Sequence, residues 1–451
     1  MARTDVAIDP TMLTPTSMEA MANQATINIG IIGHVAHGKS ALVKAITGTS
    51  TVRYKEELER NITIKLGYAD AKIYKCNNPA CPRPDCFKSY GSKMRVNPPC
   101  LRPSCGGTME LVRHVSFVDC PGHDVLMATM LNGAAVMDAA ILLVAANEEC
   151  PQPQTAEHLA AVETMKLENI IVVQNKTDLV TMDQATENHA QIQAFTQKTF
   201  AEKSPIIPTS AQLQFNIDAV VEHIYRSIPV PVRDFTSDPQ MIVIRSFDIN
   251  KPSDDISMLK GGVAGGSILK GVLTVGDTVE IRPGEVTRDE NMQVRVRPLR
   301  TRIVSLHAES TKLQFAIPGG LIGAGTLLDP SLCRKNGLVG NVVGKPSSMP
   351  KVFAEITVSY KLLRRLLGVV GKDGARVTRL NKSENLLVNI GASSVFATVA
   401  AIKDDMAKLQ LRRPACADIG ESVAISRKVD QGFRLIGWAK IVKGKALRLE
   451  G

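Results

Sequence analysis

The stretch Ile27-Asn-Ile-Gly-Ile-Ile-Gly33-His-Val-Ala-His-Gly38-Lys39-Ser40 joins an apolar run to a glycine-rich turn. The run Ile27–Ile32 predicts a buried strand, and the turn matches the pattern G-x-x-x-x-G-K-[ST] before a predicted helix. In such a loop backbone N–H groups approach phosphates, the lysine charge meets the terminal oxygens and the hydroxyl binds Mg²⁺. The predicted phosphate contacts are Gly33, Val35, Ala36, His37, Gly38, Lys39 and Ser40.

Short apolar runs alternate with helical patterns through residues 26–230, which is typical of βαβ units on a parallel sheet. The predicted strands are Ile27–Ile32, Val115–Val118, Ala139–Ala145, Ile170–Gln174 and Ile206–Pro208. The predicted helices are Ala41–Ile46, Val125–Met137, Thr155–Met165, Gln184–Phe200 and Ile217–Ile228.

A second motif, Asp119-Cys-Pro-Gly122, follows a predicted strand. A carboxylate at Asp119 can hold a metal ion through water, and the Gly122 N–H can bond the last phosphate. His123 comes next, and a neutral imidazole there can orient an attacking water. A lone histidine is more often a surface or packing residue, so the position beside the motif is what favours a catalytic role.

A third motif, Asn175-Lys176-Thr-Asp178, also follows a predicted strand. The Asp178 carboxylate can accept two hydrogen bonds from guanine that adenine cannot donate. Asn175 would brace the loop, the aliphatic part of Lys176 would cover the ring, and Ser210-Ala211 would complete the base pocket. The motifs together, in this order and at strand ends, predict a switch that binds GTP or GDP with Mg²⁺.

The segment Arg60-Asn-Ile-Thr63-Ile64 lies between the first two motifs. A threonine there can coordinate Mg²⁺ only when the last phosphate is present, which would order the loop. The alternative is a solvent-exposed loop residue. The predicted catalytic residues are Thr63, Asp119 and His123.

Five of the nine cysteines fall between Cys76 and Cys105, inside the insertion 75–113. Two hexapeptides match, Cys81-Pro-Arg-Pro-Asp-Cys86 and Cys100-Leu-Arg-Pro-Ser-Cys105, and such paired turns can present four thiolates to Zn²⁺. The matching halves favour Cys81, Cys86, Cys100 and Cys105 as ligands of a structural zinc, with Cys76 spare. A metal-free loop and oxidised thiols remain alternatives.

The composition is that of a folded protein with several domains, with 44% hydrophobic and 22% charged residues. A net charge of +10 is moderate and gives only weak support for an RNA partner. Residues 1–25 form a polar extension without the apolar core of a signal peptide, and the stretch Gly133–Ala146 is too short to span a membrane. We expect a cytoplasmic protein with no membrane partner.

The helical pattern nearly disappears after a linker rich in proline and acidic residues at 228–239. Short β-rich runs with glycine turns follow, and Gly344-Lys-Pro346 interrupts them. The predicted fold class is an α/β P-loop GTPase domain followed by two β-barrel domains. The predicted boundaries are 1–25 for the extension, 26–235 for the GTP-binding domain, 236–345 for barrel domain II and 346–451 for barrel domain III.

These motifs resemble the translational GTPase family. Within it, Glu59-Arg-Asn-Ile-Thr-Ile-Lys-Leu-Gly-Tyr68, the cysteine insertion, Val115-Ser-Phe-Val-Asp-Cys-Pro-Gly-His123 and Gly261-Gly-Val-Ala-Gly-Gly-Ser-Ile-Leu-Lys-Gly271 are similar to the initiation-factor branch, over residues 26–451. This resemblance implies a gamma subunit beside alpha and beta subunits, and GTP-dependent delivery of initiator methionyl-tRNA to the small ribosomal subunit. It also implies GTPase-activating and nucleotide-exchange partners.

The resemblance further implies that Thr63 is the switch threonine and that Val35 and Ile64 form an apolar gate beside His123. It also implies that Asn61 and Tyr68 line the pocket for the aminoacylated tRNA end. A buried strand tyrosine is the alternative for Tyr68. Ala36 stands where most translational GTPases have Asp, so we expect slow unaided hydrolysis and a partner that supplies catalytic groups, such as an arginine.

Two other functions remain open at this point. One is an elongator-type carrier, for example one specific for selenocysteine, against which the cysteine insertion and Ala36 argue. The other is a GTP-dependent scaffold that binds protein subunits without carrying tRNA.

Overall fold

The structure is a computed structural model that describes residues 9, 12–51, 66–123, 127–197, 199–251, 255, 259–291, 293–366, 376–429 and 432–450. A short helix, α1 (Met18–Asn23), precedes a seven-stranded sheet in the order β3-β2-β4-β1-β5-β6-β7. The strands are β1 (Ile27–Gly33), β2 (Gly67–Cys76), β3 (Phe87–Gly91), β4 (Met109–Asp119), β5 (Ala139–Ala145), β6 (Ile170–Asn175) and β7 (Ile206–Pro208).

Strands β4, β1, β5, β6 and β7 run parallel, whereas β2 and β3 form an antiparallel edge. Strands β1, β5 and β6 are buried along their whole lengths because helices pack on the sheet. These helices are α2 (Lys39–Thr47), α3 (Met127–Ala134), α4 (Pro153–Thr164), α5 (Met182–Thr196) and α6 (Ile217–Ser227). Alternate strand residues feed two cores, with Ile31 in one and Ile32 in the other.

The second domain is a six-stranded ring that closes where β11 pairs with β12, in the order β11-β16-β8-β9-β15-β12. Strand β13 extends it, and β10 pairs separately with β14. The strands are β8 (Gln240–Phe247), β9 (Val263–Lys270), β10 (Leu273–Thr274), β11 (Thr278–Arg288), β12 (Val294–Ala308), β13 (Thr311–Leu313), β14 (Phe315–Ala316), β15 (Ile322–Thr326) and β16 (Val342–Gly344).

The third domain is a closed barrel in the order β17-β20-β19-β18-β21-β22. Closure pairs every strand on both sides, which removes exposed sheet edges. Its strands are β17 (Lys351–Leu362), β18 (Asn385–Ile390), β19 (Ser393–Lys403), β20 (Met406–Ala417), β21 (Ser422–Val429) and β22 (Gly432–Ala446).

Polar contacts join the first domain to the second and fix the segment that leaves the first. The Gln24 amide donates 2.7 Å hydrogen bonds to the carbonyls of Ile317 and Gly319 in the second domain. Arg233, which follows α6, forms a 2.6 Å ion pair with Asp138 beside β5, and only 12% and 14% of these side chains are exposed. Because both partners are largely shielded from water, the pair holds the chain leaving the first domain in a fixed place.

The predicted fold class, an α/β GTPase domain followed by two β-barrels, is confirmed. All five predicted strands are present, although β4 begins at Met109 rather than Val115. Strands β2 and β3 were not predicted. Strand β2 buries Asp70 and Lys72, and the Lys72 ammonium donates to the carbonyls of Ala22 and Met94. These tertiary contacts stabilise a buried charged residue at a position where strand prediction from the sequence depends on an apolar residue.

Helix bounds differ from prediction by a few residues at most ends. Helix α5 begins at Met182 because Thr181 and Gln184 form a reciprocal capping box, and it ends at Thr196 instead of Phe200. The predicted helix from Val125 starts in residues outside those described, and its described part is α3. Among the helices that the structure describes, none combines the length and apolar character needed to cross a membrane.

Candidate functional site

The turn between β1 and α2 can be built only with glycine at two positions. Gly33 has φ 138°, and a Cβ there would lie 2.5 Å from the Leu143 carbonyl oxygen. Gly38 has φ 94°, and a Cβ there would overlap the Asn175 amide. Because side chains are excluded, the backbone of this loop is open to a group as bulky as a phosphate.

Lys39 is held at the centre of this loop. Its ammonium donates hydrogen bonds of 2.9 Å to the Gly33 carbonyl and 2.6 Å to the His34 carbonyl. Only 6% of the residue is exposed, and burial lowers its pKa to about 8. Burial outweighs the attraction of the nearby Asp119 carboxylate, so a further anion in the loop would stabilise the charged ammonium.

Oxygen atoms from three segments meet next to Lys39. The hydroxyls of Ser40 and Thr51 donate to the same oxygen of Asp119, at 2.6 and 2.5 Å. Hydroxyl and carboxylate oxygens are the ligands that Mg²⁺ prefers, so these residues fit that ion. Gly122 packs against Lys39 and Val35, which brings the second motif onto the first.

Asn175 joins the phosphate loop to the base loop. Its amide nitrogen donates to the His37 carbonyl at 2.9 Å, and its amide oxygen accepts from the Ala211 N–H at 3.0 Å. Lys176 adopts a left-handed conformation with φ 63°, after which Asp178 lies exposed in a short 3₁₀ turn. Ser210 is buried and its hydroxyl accepts from the Leu213 N–H. The three motifs and Ser210-Ala211 therefore meet at one edge of the sheet.

The predicted histidines take different positions. His37 is buried, with Nδ1 2.9 Å from the Leu143 carbonyl and Nε2 3.1 Å from the Glu148 carboxylate, so its side chain braces the loop from behind. His123 is exposed after Gly122, and Ala36 is exposed with φ 62°. Thr63, Asn61 and Ile64 lie outside the described residues.

Two contacts of this site were not predicted. Thr51 donates to Asp119, and the Gly33 N–H donates to Nδ1 of His158 on α4 at 3.0 Å. Neither residue belongs to a sequence motif. Thr51 lies in a polar segment after α2 and His158 follows the first motif by more than a hundred residues, so only tertiary packing reveals them.

An interdomain cavity of about 460 Å³ lies between the first and second domains. Tyr68, the predicted pocket residue, lines it from β2. The other lining residues are Thr51, Leu66, Gly67, Ile244, Arg245, Phe247, Gly265, Gly266, His307, Glu309, Leu321, Ile322 and Gly323. Thr51 thus borders this cavity and also donates to Asp119 in the nucleotide site.

Four thiols of the insertion form a compact cluster consisting of Cys76, Cys81, Cys100 and Cys105. Their sulfur atoms all lie within 4.8 Å of one another, with Cys76–Cys105 at 3.6 Å and Cys81–Cys100 at 3.9 Å. Thiolates around a tetrahedral zinc are separated by about 3.8 Å. The cluster can therefore hold a metal ion of this kind.

This cluster differs from the predicted ligand set. Cys76, predicted to be spare, is a member, whereas Cys86 is not. Cys86 is buried in the turn immediately before β3, where its carbonyl accepts from the Cys76 N–H at 2.8 Å and its thiol lies near the charges of Glu222 and Lys75. The strand pairing of β2 with β3 thus commits Cys86 to the core, and matching hexapeptides gave no information about that pairing.

The fold is similar to that of selenocysteine-specific translation factors. The bacterial selenocysteine-specific elongation factor EF-Sec superposes with a TM-score of 0.68 at 20% identity, covering 93% of this chain and 59% of that chain. Elongation factor SelB from Methanococcus maripaludis, with the GTP analogue GPPNHP, gives 0.66 at 20% identity, covering 94% and 80%. At this identity the likeness concerns the fold alone.

Sequence comparison gives the family. Residues 24–230 match the Elongation factor Tu GTP binding domain, 261–342 match Elongation factor Tu domain 2, and 354–441 match Initiation factor eIF2 gamma, C terminal. The chain is 58% identical over 444 residues to eukaryotic translation initiation factor 2 subunit gamma of Schizosaccharomyces pombe, covering 98% of this chain and 99% of the relative. It is 59% identical over 443 residues to eukaryotic translation initiation factor 2 subunit 3 of Drosophila melanogaster, covering 98% and 93%. The chain therefore belongs to the translational GTPases of the eukaryotic initiation factor 2 gamma-subunit family.

Proposed function

We propose that this translation-initiation GTPase binds initiator methionyl-tRNA in its GTP state, delivers it to the small ribosomal subunit and releases it after hydrolysis. The observation that carries this proposal is the position of Thr51. Its hydroxyl donates to Asp119 of the nucleotide site, and the same residue lines the interdomain cavity. A structural change around the last phosphate is therefore transmitted through Thr51 to the wall of the interdomain cavity.

The interdomain cavity suits the aminoacylated end of a tRNA. Tyr68 and Phe247 offer aromatic faces on which a terminal base can stack, and the Arg245 guanidinium lies 5.2 Å from the Phe247 ring centroid. Leu66 and Ile322 add apolar surface for a methionine side chain. Asn61, also proposed for this pocket, lies outside the described residues.

The nucleotide site supplies the switch. Lys39 and the loop amides bind the phosphates, Ser40 and Asp119 hold Mg²⁺ with Thr63, and Asn175, Lys176 and Asp178 bind guanine. Mg²⁺ bound there neutralises charge on the phosphate oxygens. His123 orients the attacking water, and the exposed Ala36 leaves room for a group from an activating protein.

The relatives are named as subunits of one factor, which supports assembly with alpha and beta subunits. The net charge of +10 suits contact with tRNA and ribosomal RNA. GTPase-activating and nucleotide-exchange proteins are the further partners of this cycle. The proposed location of the protein is the cytoplasm.

We further propose that Cys76, Cys81, Cys100 and Cys105 hold a structural Zn²⁺. A hydrogen bond from the Gly107 backbone lowers the pKa of the Cys105 thiol to about 7, whereas burial raises the pKa of the Cys81 thiol to about 12. Zinc stabilises the thiolate form of all its ligands, so the cluster would become fully deprotonated on loading.

Filter binding of the full chain to labelled tRNA tests the main proposal. We expect initiator methionyl-tRNA to bind more tightly with a non-hydrolysable GTP analogue than with GDP, and more tightly than elongator tRNAs. Tyr68→Leu should weaken tRNA binding about tenfold by removing a stacking face, whereas Tyr90→Leu on β3, outside the cavity, should leave it unchanged.

Two results would contradict the proposal. A preference for an elongator tRNA would indicate an elongator-type carrier such as a selenocysteine-specific factor. Absence of tRNA binding, with GTP still altering the affinity for other subunits, would indicate a scaffold.

A further inference from the structure

Helix α4 lies between the nucleotide site and the third domain. It packs against β1 and β5 in the first domain and against β22 in the third. Two consecutive residues of this helix make the polar contacts, Glu157 with the third domain and His158 with the phosphate loop. Because consecutive side chains on a helix point about 100° apart, a single rigid turn can contact the third domain and the phosphate loop at the same time.

His158 holds the first residue of the phosphate loop. The residue is fully buried, and its Nδ1 accepts from the Gly33 N–H at 3.0 Å. Burial lowers the pKa of this histidine to about 3, so the ring is neutral and Nδ1 remains an acceptor near neutral pH. Within the described part of the chain, Nε2 has no hydrogen-bond partner, so the bond to Gly33 is the polar contact that the ring provides.

Gly33 is therefore fixed from both sides. Its N–H is bound by His158, and its carbonyl accepts from the Lys39 ammonium at 2.9 Å. A shift of α4 along its axis would move Gly33 and, through it, the lysine that is proposed to meet the terminal phosphates.

Arg434 on β22 connects the third domain to the same turn. Its guanidinium donates to the Glu157 carboxylate at 2.6 Å, with 21% of the arginine side chain and 5% of the glutamate side chain exposed. While the barrel is docked, losing this cation would leave a buried carboxylate unpaired, so the ion pair ties the position of the helix to that of the barrel.

We infer that α4 couples docking of the third domain to the affinity for nucleotide. His158 is a positioning residue for the phosphate loop, and the Arg434–Glu157 ion pair is the contact through which the docked barrel acts on the helix. The coupling rests on the nucleotide site proposed above. It is reciprocal, so bound nucleotide also strengthens docking of the barrel.

The test measures dissociation of a fluorescent GDP from the full chain. Arg434→Met should speed release about three- to tenfold, the range that follows from losing one hydrogen bond at the loop. Arg427→Met is the matched control, because Arg427 pairs with Glu384 inside the same barrel at similar exposure, 17% and 15%, and its other hydrogen bonds, to Thr378 and Arg379, also lie within the third domain.

A second series isolates the histidine. His158→Leu should also speed release about three- to tenfold, and His158→Asn should restore slow release because its amide oxygen can accept from the Gly33 N–H. In the double variant Arg434→Met with His158→Leu, release should be no faster than in His158→Leu alone, since both changes act through one contact.

Three outcomes would overturn the inference. They are unchanged release in Arg434→Met, equal effects of Arg434→Met and Arg427→Met, and multiplied effects in the double variant. If His158→Leu does not fold, as judged by thermal unfolding, the comparison of the two arginine variants decides. A wild-type chain that binds no GDP would instead contradict the proposed nucleotide site.

Discussion

The nucleotide site and the cysteine cluster are assembled by different parts of the first domain. Around the nucleotide site, Asp119 and Asn175 are the last residues of parallel strands and Lys39 follows the loop after a third, so their meeting at one edge follows from the topology. In the cluster, Cys76 and Cys105 meet because an antiparallel edge folds an irregular insertion back on itself. The positions of short motifs at the ends of parallel strands are therefore enough to predict which residues meet. The ligands of a metal site in an irregular insertion depend in addition on how the neighbouring strands pair.

The largest expected effect concerns the cluster. Cys76→Ser should reduce bound zinc from about one ion per chain to none and expose the insertion to proteolysis, because structural zinc sites need all four ligands. Cys86→Ser, the matched control immediately before β3, should retain the ion. Metal analysis of the purified full chain under reducing conditions makes the comparison, and zinc lost from Cys86→Ser but kept in Cys76→Ser would restore the set expected from the hexapeptides.

The base pocket should respond next most strongly. Asp178→Asn should lower GTP affinity about 100-fold or more, because two hydrogen bonds to a charged acceptor are lost. The variant should gain affinity for xanthosine triphosphate, whose base presents an acceptor where guanine presents its amine. Competition binding measures both nucleotides, and unchanged GTP affinity would disprove the assignment of the third motif. Asp183→Asn, in the first turn of α5, is a nearby control.

The smallest of the three effects is expected at His123. His123→Ala should slow hydrolysis stimulated by an activating protein about 10- to 100-fold while leaving GTP affinity within about twofold, because the exposed ring acts on water rather than on nucleotide. Single-turnover phosphate release, measured beside equilibrium binding, separates the two steps. His189→Ala on α5 serves as a control away from the site, and full activity of His123→Ala would remove this residue from the catalytic set.

The sequence was sufficient to predict the three-domain order, the parallel strands and the residues that meet around Lys39. It could not reveal Thr51 or His158, since a hydroxyl and an imidazole carry no local pattern and their partners lie far along the chain. It predicted that His37 lies in the phosphate loop but gave no sign that its ring is buried against Glu148 or that its carbonyl accepts from the Asn175 amide. Motif spacing does not reveal hydrogen bonds between residues that are far apart in the sequence.

The amide of Asn175 has a kinetic consequence. It ties the phosphate loop to the base loop with protein atoms alone, through His37 and Ala211. The entropy of arranging these two loops is therefore lost when the chain folds rather than when a ligand arrives. Guanosine fragments should consequently meet a rigid receptor, and their association should be limited by diffusion and desolvation instead of by loop rearrangement.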